Sequence, residues 1–113
     1  MLDLTLMNNA DLYELRLLDG TELHLKRPTQ AMVQFTLVLQ GLANNNKQVE
    51  TLEALSQLFA RILNRNMEGK TYDAAQLAEE YDFSVIGYVI EDYFGFWNQD
   101  VEAKVNFPQS QQK

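Results

Sequence analysis

Tyr13-Glu14-Leu15-Arg16-Leu17-Leu18, Asp19-Gly20, Thr21-Glu22-Leu23-His24-Leu25-Lys26 is the stretch that decides the fold. Two runs of alternating character flank a dipeptide favoured in two-residue type I′ turns, which predicts an antiparallel hairpin. Leu15 and Leu17 share a face of the first strand, and Leu23 and Leu25 share a face of the second. Pairing across the turn therefore makes a ribbon with one apolar side. A lone hairpin is marginal in water, so this one has to dock on something else. Upstream, Leu2, Leu4 and Leu6 alternate with Asp3 and Thr5 and offer a third strand.

Downstream the period changes to that of helices. Pro28 ends the ribbon and Thr29 is placed to cap a helix from about Gln30 to Ala43, which Asn44-Asn45-Asn46 breaks. Met32, Phe35, Val38, Leu39 and Leu42 fall on one side of it, while Val33 and Leu37 fall on the other. A helix apolar on two sides is expected to sit between other elements. A second helix, Gln48 to Asn64, carries Val49, Leu52, Leu55, Leu58, Phe59, Ile62 and Leu63 on one broad stripe. Asn66 to Lys70 reads as a loop. A short helix then starts at Thr71 or Asp73 and runs to about Tyr81, and a last one, capped by Asp82 or Ser84, runs from about Phe83 to Glu102. Phe107-Pro108 closes that helix, and Gln109 to Lys113 form a polar tail. The expected architecture is α+β: an N-terminal antiparallel hairpin followed by a four-helix array, as one domain over residues 1–108 with a tail over 109–113.

Composition narrows the function. The 113 residues are 46% apolar and contain no cysteine, which suits one core and excludes a disulfide framework, a thiolate metal site and a cysteine nucleophile. The start, Met1-Leu2-Asp3-Leu4, lacks the basic-then-apolar pattern of a secretory signal. No run approaches the ~18 apolar residues of a membrane span, so a cytoplasmic protein without membrane contact is expected. Nine Lys and Arg against 16 Asp and Glu give a net charge of −7, which opposes binding to a phosphate backbone. The imbalance is local: residues 1–65 hold 6 bases and 7 acids, whereas residues 66–113 hold 3 bases and 9 acids.

Seven of the 12 aromatic residues lie between Tyr81 and Trp97. On the last helix, Phe83, Val85, Ile86, Val89, Ile90, Tyr93, Phe94, Phe96 and Trp97 cover about half the circumference, with Tyr88 beside Glu91 and Asp92. One reading makes this helix the centre of the core. The other leaves part of the arc, Tyr88, Tyr93, Phe96 and Trp97, at the surface as a platform for a partner protein, since Tyr and Trp are enriched at interface hot spots. Gly87 and Gly95 inside the helix require an explanation, either close approach of another backbone or a kink.

Known chemistry has no foothold. His24 is expected on the solvated face of the hairpin, without a Ser, Cys or Asp at catalytic spacing. Glu79, Glu80, Asp82, Glu91 and Asp92 have neither calcium-loop nor zinc-motif spacing and read as a solvated acidic face. The five glycines stand alone and form no phosphate loop. Neither cofactor nor metal is expected. Two other classes remain conceivable: an acidic inhibitor imitating DNA charge, from the acidic second half, and a small Asp/Glu hydrolase, from the carboxylates alone.

The Asp19-Gly20 hairpin leading through Lys26-Arg27-Pro28-Thr29 into helices resembles the tail assembly chaperones of long-tailed bacteriophages. So do Tyr72-Asp73-Ala74-Ala75-Gln76-Leu77, Tyr81-Asp82-Phe83 and the aromatic helix ending Tyr93-Phe94-Gly95-Phe96-Trp97. The resemblance implies a non-enzymatic protein of the bacterial or prophage-host cytoplasm that coats the tape measure protein, brings tail tube protein to it and leaves before the virion is complete. It also implies a longer frameshifted product extending from the region of Gln109 to Lys113. Repeated weak apolar contacts along a filament gain from multivalency, so a homo-oligomer is a natural companion expectation.

Overall fold

The computed structural model describes residues 1–2 and 12–105, and for 98–105 the backbone alone. The third-strand expectation and the closure and tail beyond Val105 lie outside the described residues. The chain has the α+β plan: strands β1 (Tyr13–Arg16) and β2 (Glu22–Leu25) form an antiparallel pair, followed by helices α1 (Gln30–Asn44), α2 (Gln48–Leu63), α3 (Ala74–Glu80) and α4 (Phe83–Val105).

The hairpin turn is one residue longer than its Asp-Gly dipeptide predicts. Leu17 N–H donates to the Thr21 carbonyl and Gly20 N–H to the Leu17 carbonyl, so Leu18, Asp19 and Gly20 form a three-residue loop. Gly20 has φ +91°, a left-handed conformation that glycine adopts without a Cβ penalty, and Asp19 Oδ1 accepts the Thr21 N–H at 2.9 Å. The extra residue sets the register at Tyr13 with Leu25 and Leu15 with Leu23. A two-residue turn would place Leu15 opposite His24 and send the leucines of the two strands to opposite faces. Burial of one apolar face selects the longer loop, and Tyr13, Leu17, Leu23 and Leu25 are all buried.

Local signals end the helices where expected. Thr29 Oγ1 accepts the Met32 N–H at 3.2 Å, Asp73 Oδ2 the Gln76 N–H at 3.1 Å, and Asp82 Oδ1 the Ser84 N–H at 2.7 Å. Helix α1 closes with Asn46 at φ 59°, where Asn46 N–H bonds the Ala43 carbonyl and Lys47 N–H the Leu42 carbonyl. That is the Schellman pattern, with asparagine in the left-handed position usually given to glycine.

Helix α2 is the hub, and it packs against α1, α3, α4 and β2. Leu58, Phe59, Ile62 and Leu63 are fully enclosed, and the small Ala54, Ser56 and Ala60 are buried beside them, which lets neighbours approach on more than one side. Helix α4 contributes one face to this core rather than its centre. Helix α1 packs on α2 through Met32, Phe35 and Leu39, while Val33, Leu37 and Val38 are exposed. The expectation that α1 lies between two elements is corrected: among the described residues α2 covers one side, and Val38 belongs with the uncovered residues.

Gly87 and Gly95 mark neither a break in the helix nor a close approach among the described residues. Helix α4 is continuous, and a Cβ at either position meets no heavy atom within 4 Å. Each glycine therefore costs about 1 kcal/mol of helix propensity without a packing return among the described residues. Gly87→Ala and Gly95→Ala are each expected to raise the free energy of unfolding by about 0.5–1 kcal/mol, read as a higher urea midpoint at unchanged m-value.

Candidate protein-contact surface

Helix α4 buries Ile86, Val89, Ile90, Tyr93 and Trp97, a stripe at steps of three and four, against the α2 core. This stripe divides the four residues expected to meet a partner. Tyr88 is 70% exposed and Phe96 39%, whereas Tyr93 is 0% and Trp97 3% exposed. The expected surface position of Tyr93 and Trp97 is thus corrected; both are core residues of the subunit. The Tyr93 ring meets Tyr13 edge-on at 5.4 Å and Phe94 at 5.2 Å, and its hydroxyl donates to the Lys26 carbonyl. Burial pushes the Tyr93 hydroxyl well above the usual tyrosine range. Trp97 lies under the Arg27 guanidinium, 5.0 Å from the ring centroid.

Tyr88, Asp92 and Phe96 follow one another at i+4 down an exposed edge of α4. Phe96 rests edge-on against Tyr13 at 5.5 Å and Trp97 at 4.7 Å, so its ring is held in place while one side faces water. The Tyr13 hydroxyl donates to Asp92 Oδ2. Burial first, and that carboxylate second, push the Tyr13 hydroxyl well up.

Apolar surface continues elsewhere. The outer side of α1 presents Val33, Leu37 and Val38, with Leu37 65% exposed. A hollow of about 450 Å³ lies between α1 and α4, and its lining includes Val33, Ile90, Phe94 and Trp97 together with Arg27 and Glu91. A larger groove of about 750 Å³ runs between α2, α3 and α4. Its walls include Leu52 and Phe83, both exposed although the stripe and arc pattern assigns them to covered faces. The signal for this groove is the run of small residues Ala74, Ala75 and Ala78 on the short α3, which fills less space than its neighbours leave.

His24 lies on the outward face of the hairpin as expected, with its side chain 42% exposed, and two carboxylates hold it there. Its Nδ1 lies 2.6 Å from Glu68 Oε2, its backbone N–H donates to Glu68 Oε1 at 3.0 Å, and Glu14 Oε2 lies 3.9 Å from Nε2. The hydrogen bond with Glu68 raises the His24 pKa, and the same bond lowers that of Glu68. His24's contribution to stability is full below about pH 6.5 and is lost as pH rises through its raised value. Glu68's contribution is full above about pH 4.5 and is lost as pH falls through its lowered value. The pair is therefore expected to stabilise most between those limits. The check is the urea midpoint of wild type minus that of His24→Gln against pH, a difference that should shrink toward alkaline pH.

Glu79, Glu80, Asp82, Glu91 and Asp92 are all solvent-exposed, and among the described residues no group of three or more His, Asp or Glu is placed to hold a metal ion. Among the same residues no helix is long and apolar enough to cross a membrane. The fold and this surface define a small acidic α+β domain with uncovered apolar helix flanks. Comparison with family models, curated proteins and solved structures yields no match for the chain.

Proposed function

We propose that the chain is a non-enzymatic tail assembly chaperone of the long-tailed phage type, which binds the tape measure protein in the bacterial cytoplasm and helps bring tail tube subunits to it. One observation carries the reading beyond the sequence resemblance: a chain of net charge −7 leaves large apolar side chains uncovered on two helices, Val33, Leu37 and Val38 on α1 and Phe83, Tyr88 and Phe96 on α4. Exposed apolar area of this kind is characteristic of surfaces that take a partner. A client that is long, helical and apolar needs such a grip, and the surplus of acid keeps the free chaperone soluble.

The test is co-expression with a tape measure protein of a long-tailed phage and recovery of the pair by affinity capture. Retention of the tape measure protein is expected, with Tyr88→Ala and Leu37→Asp reducing it while the circular dichroism spectrum is unchanged. Failure of the wild-type chain to retain that client removes the proposal. Complexes held by apolar contact should persist at ~1 M salt, where charges are screened beyond about 3 Å. Dissociation there supports instead the charge-mimic reading, for which the exposed carboxylates from Glu79 to Asp92 are the motivating feature.

A further inference from the structure

The groove between α2, α3 and α4 has a definite chemistry. Leu52 and Leu55 of α2, Ala75 and Ala78 of α3, and Phe83 and Ile86 of α4 supply apolar surface from three directions. Phe83, at the first position of α4, lines the groove and is 64% exposed. Among the described residues, the charged groups lining the groove are Glu53 on the α2 wall and Glu79 on the α3 wall, with no lysine or arginine. Glu80 and Asp82 continue the acidic edge in sequence. The groove is therefore a mainly apolar trough with one carboxylate on its α2 wall and one on its α3 wall.

We infer that this trough takes an amphipathic helix of a partner protein, one whose bulky aliphatic stripe is flanked on both sides by lysine or arginine. About 750 Å³ has room for several leucine-sized side chains, which a helix delivers in line from positions i, i+3 or i+4, and i+7. The basic flanks follow from the two banks: opposite charges at the edges guide the helix into register, while a helix with acidic flanks is repelled. The lining has no buried charged side chain of the sort that orients a small ligand, and its charge rejects nucleic acid. The inference rests on the reading that the chain works through protein contacts and not on the client's identity.

The probe is a fluorescently labelled helical peptide about 18 residues long, with leucine at the stripe positions and lysine on both flanks, compared with a twin carrying glutamate in place of lysine. Fluorescence anisotropy should show the lysine peptide binding the full chain about tenfold or more tightly than the glutamate peptide. Ala75→Leu with Ala78→Leu fills the trough from exposed positions and should weaken the lysine peptide about tenfold at unchanged melting temperature. Glu53→Lys with Glu79→Lys should move the preference to the glutamate peptide. The inference is overturned if the lysine peptide does not bind, or if the trough-filling variant binds it as wild type does, which would leave only diffuse attraction to an acidic surface. Capture of the tape measure protein separates the two proposals. Peptide binding without client capture removes the chaperone role and leaves the trough, whereas client capture without peptide binding removes the trough and leaves the chaperone role.

Discussion

Tyr93→Ala is expected to lower the free energy of unfolding by about 3–5 kcal/mol, the range for deleting a large aromatic ring from a closed core. The ring is 0% exposed and touches Tyr13, Phe94 and Trp97, so its removal opens a cavity where the hairpin meets α4. The hydroxyl adds a second loss. It donates to the carbonyl of Lys26, whose N–H in turn bonds the Arg65 carbonyl. Tyr93 thus ties the end of β2 to α4 at the point where the end of α2 also holds it. Against a total stability of about 5–15 kcal/mol for a domain of this size, the alanine variant stands close to unfolding. Tyr93→Phe keeps the packing and loses the hydrogen bond, so about 1 kcal/mol is expected from it. Urea denaturation of the three proteins gives both numbers. A loss below about 1 kcal/mol for Tyr93→Ala would show that the aromatic cluster does not hold hairpin and helix together. The distinction matters for binding studies, because failure of a Tyr93 or Trp97 variant to hold a client reports on the fold, whereas Tyr88, 70% exposed, can be changed at the surface.

Elements governed by near neighbours in the chain were legible from the sequence. The hairpin and four helices follow from period and turn residues, and the helix ends from caps such as Thr29, Asp73 and Asp82, whose partners lie two or three residues away. What depended on the third dimension was not legible. Asp19-Gly20 serves a two-residue or a three-residue loop equally well, and the choice falls to the face that has to be buried. Half of α4's circumference is apolar, so spacing alone does not say that Tyr93 and Trp97 go inward while Tyr88 and Phe96 stay out. The same holds for α1, where two apolar sides compete for one neighbour. The groove above Ile86 arises because α3 is short and built from alanines, a shortage of volume that becomes visible only once α2 and α4 are set around it. His24 and Glu68 are 44 positions apart and meet because the loop after α2 runs along the free edge of β2.

That loop is held by a residue with no distinguishing sequence context, and its replacement has the second large effect. Asn66 is 9% exposed, and its side-chain amide uses all of its capacity. Nδ2 donates to the carbonyls of Leu63 and Lys70 at 2.7 and 2.8 Å, and Oδ1 accepts the N–H groups of Glu68 and Lys70 at 3.0 and 2.9 Å. The main chain of this segment pairs with β2 on the other side: Lys26 N–H reaches the Arg65 carbonyl and Met67 N–H the His24 carbonyl. Asn66→Ala removes four hydrogen bonds to the backbone in one step; the Leu63 carbonyl keeps the Asn66 N–H at 3.2 Å, while the other groups lose their side-chain partner, and buried polar groups left unmatched cost about 1–3 kcal/mol each when water does not reach them. Water can enter at Glu68 and Lys70, which are exposed, so the expected total is about 3 kcal/mol rather than the full sum. Asn66→Asp is the sharper control, because a carboxylate still accepts from Glu68 and Lys70 N–H but has no donor for Leu63 and Lys70 C=O. It should lose about half as much at low pH as at neutral pH, where the charge beside two carbonyls adds repulsion. Amide hydrogen exchange gives the local readout: Met67 N–H and Lys26 N–H should lose protection in Asn66→Ala before the α2 core does. If both exchange together with Leu58 and Ile62, the loop opens only with the whole domain and Asn66 is a residue of the global core instead of the clasp on its edge.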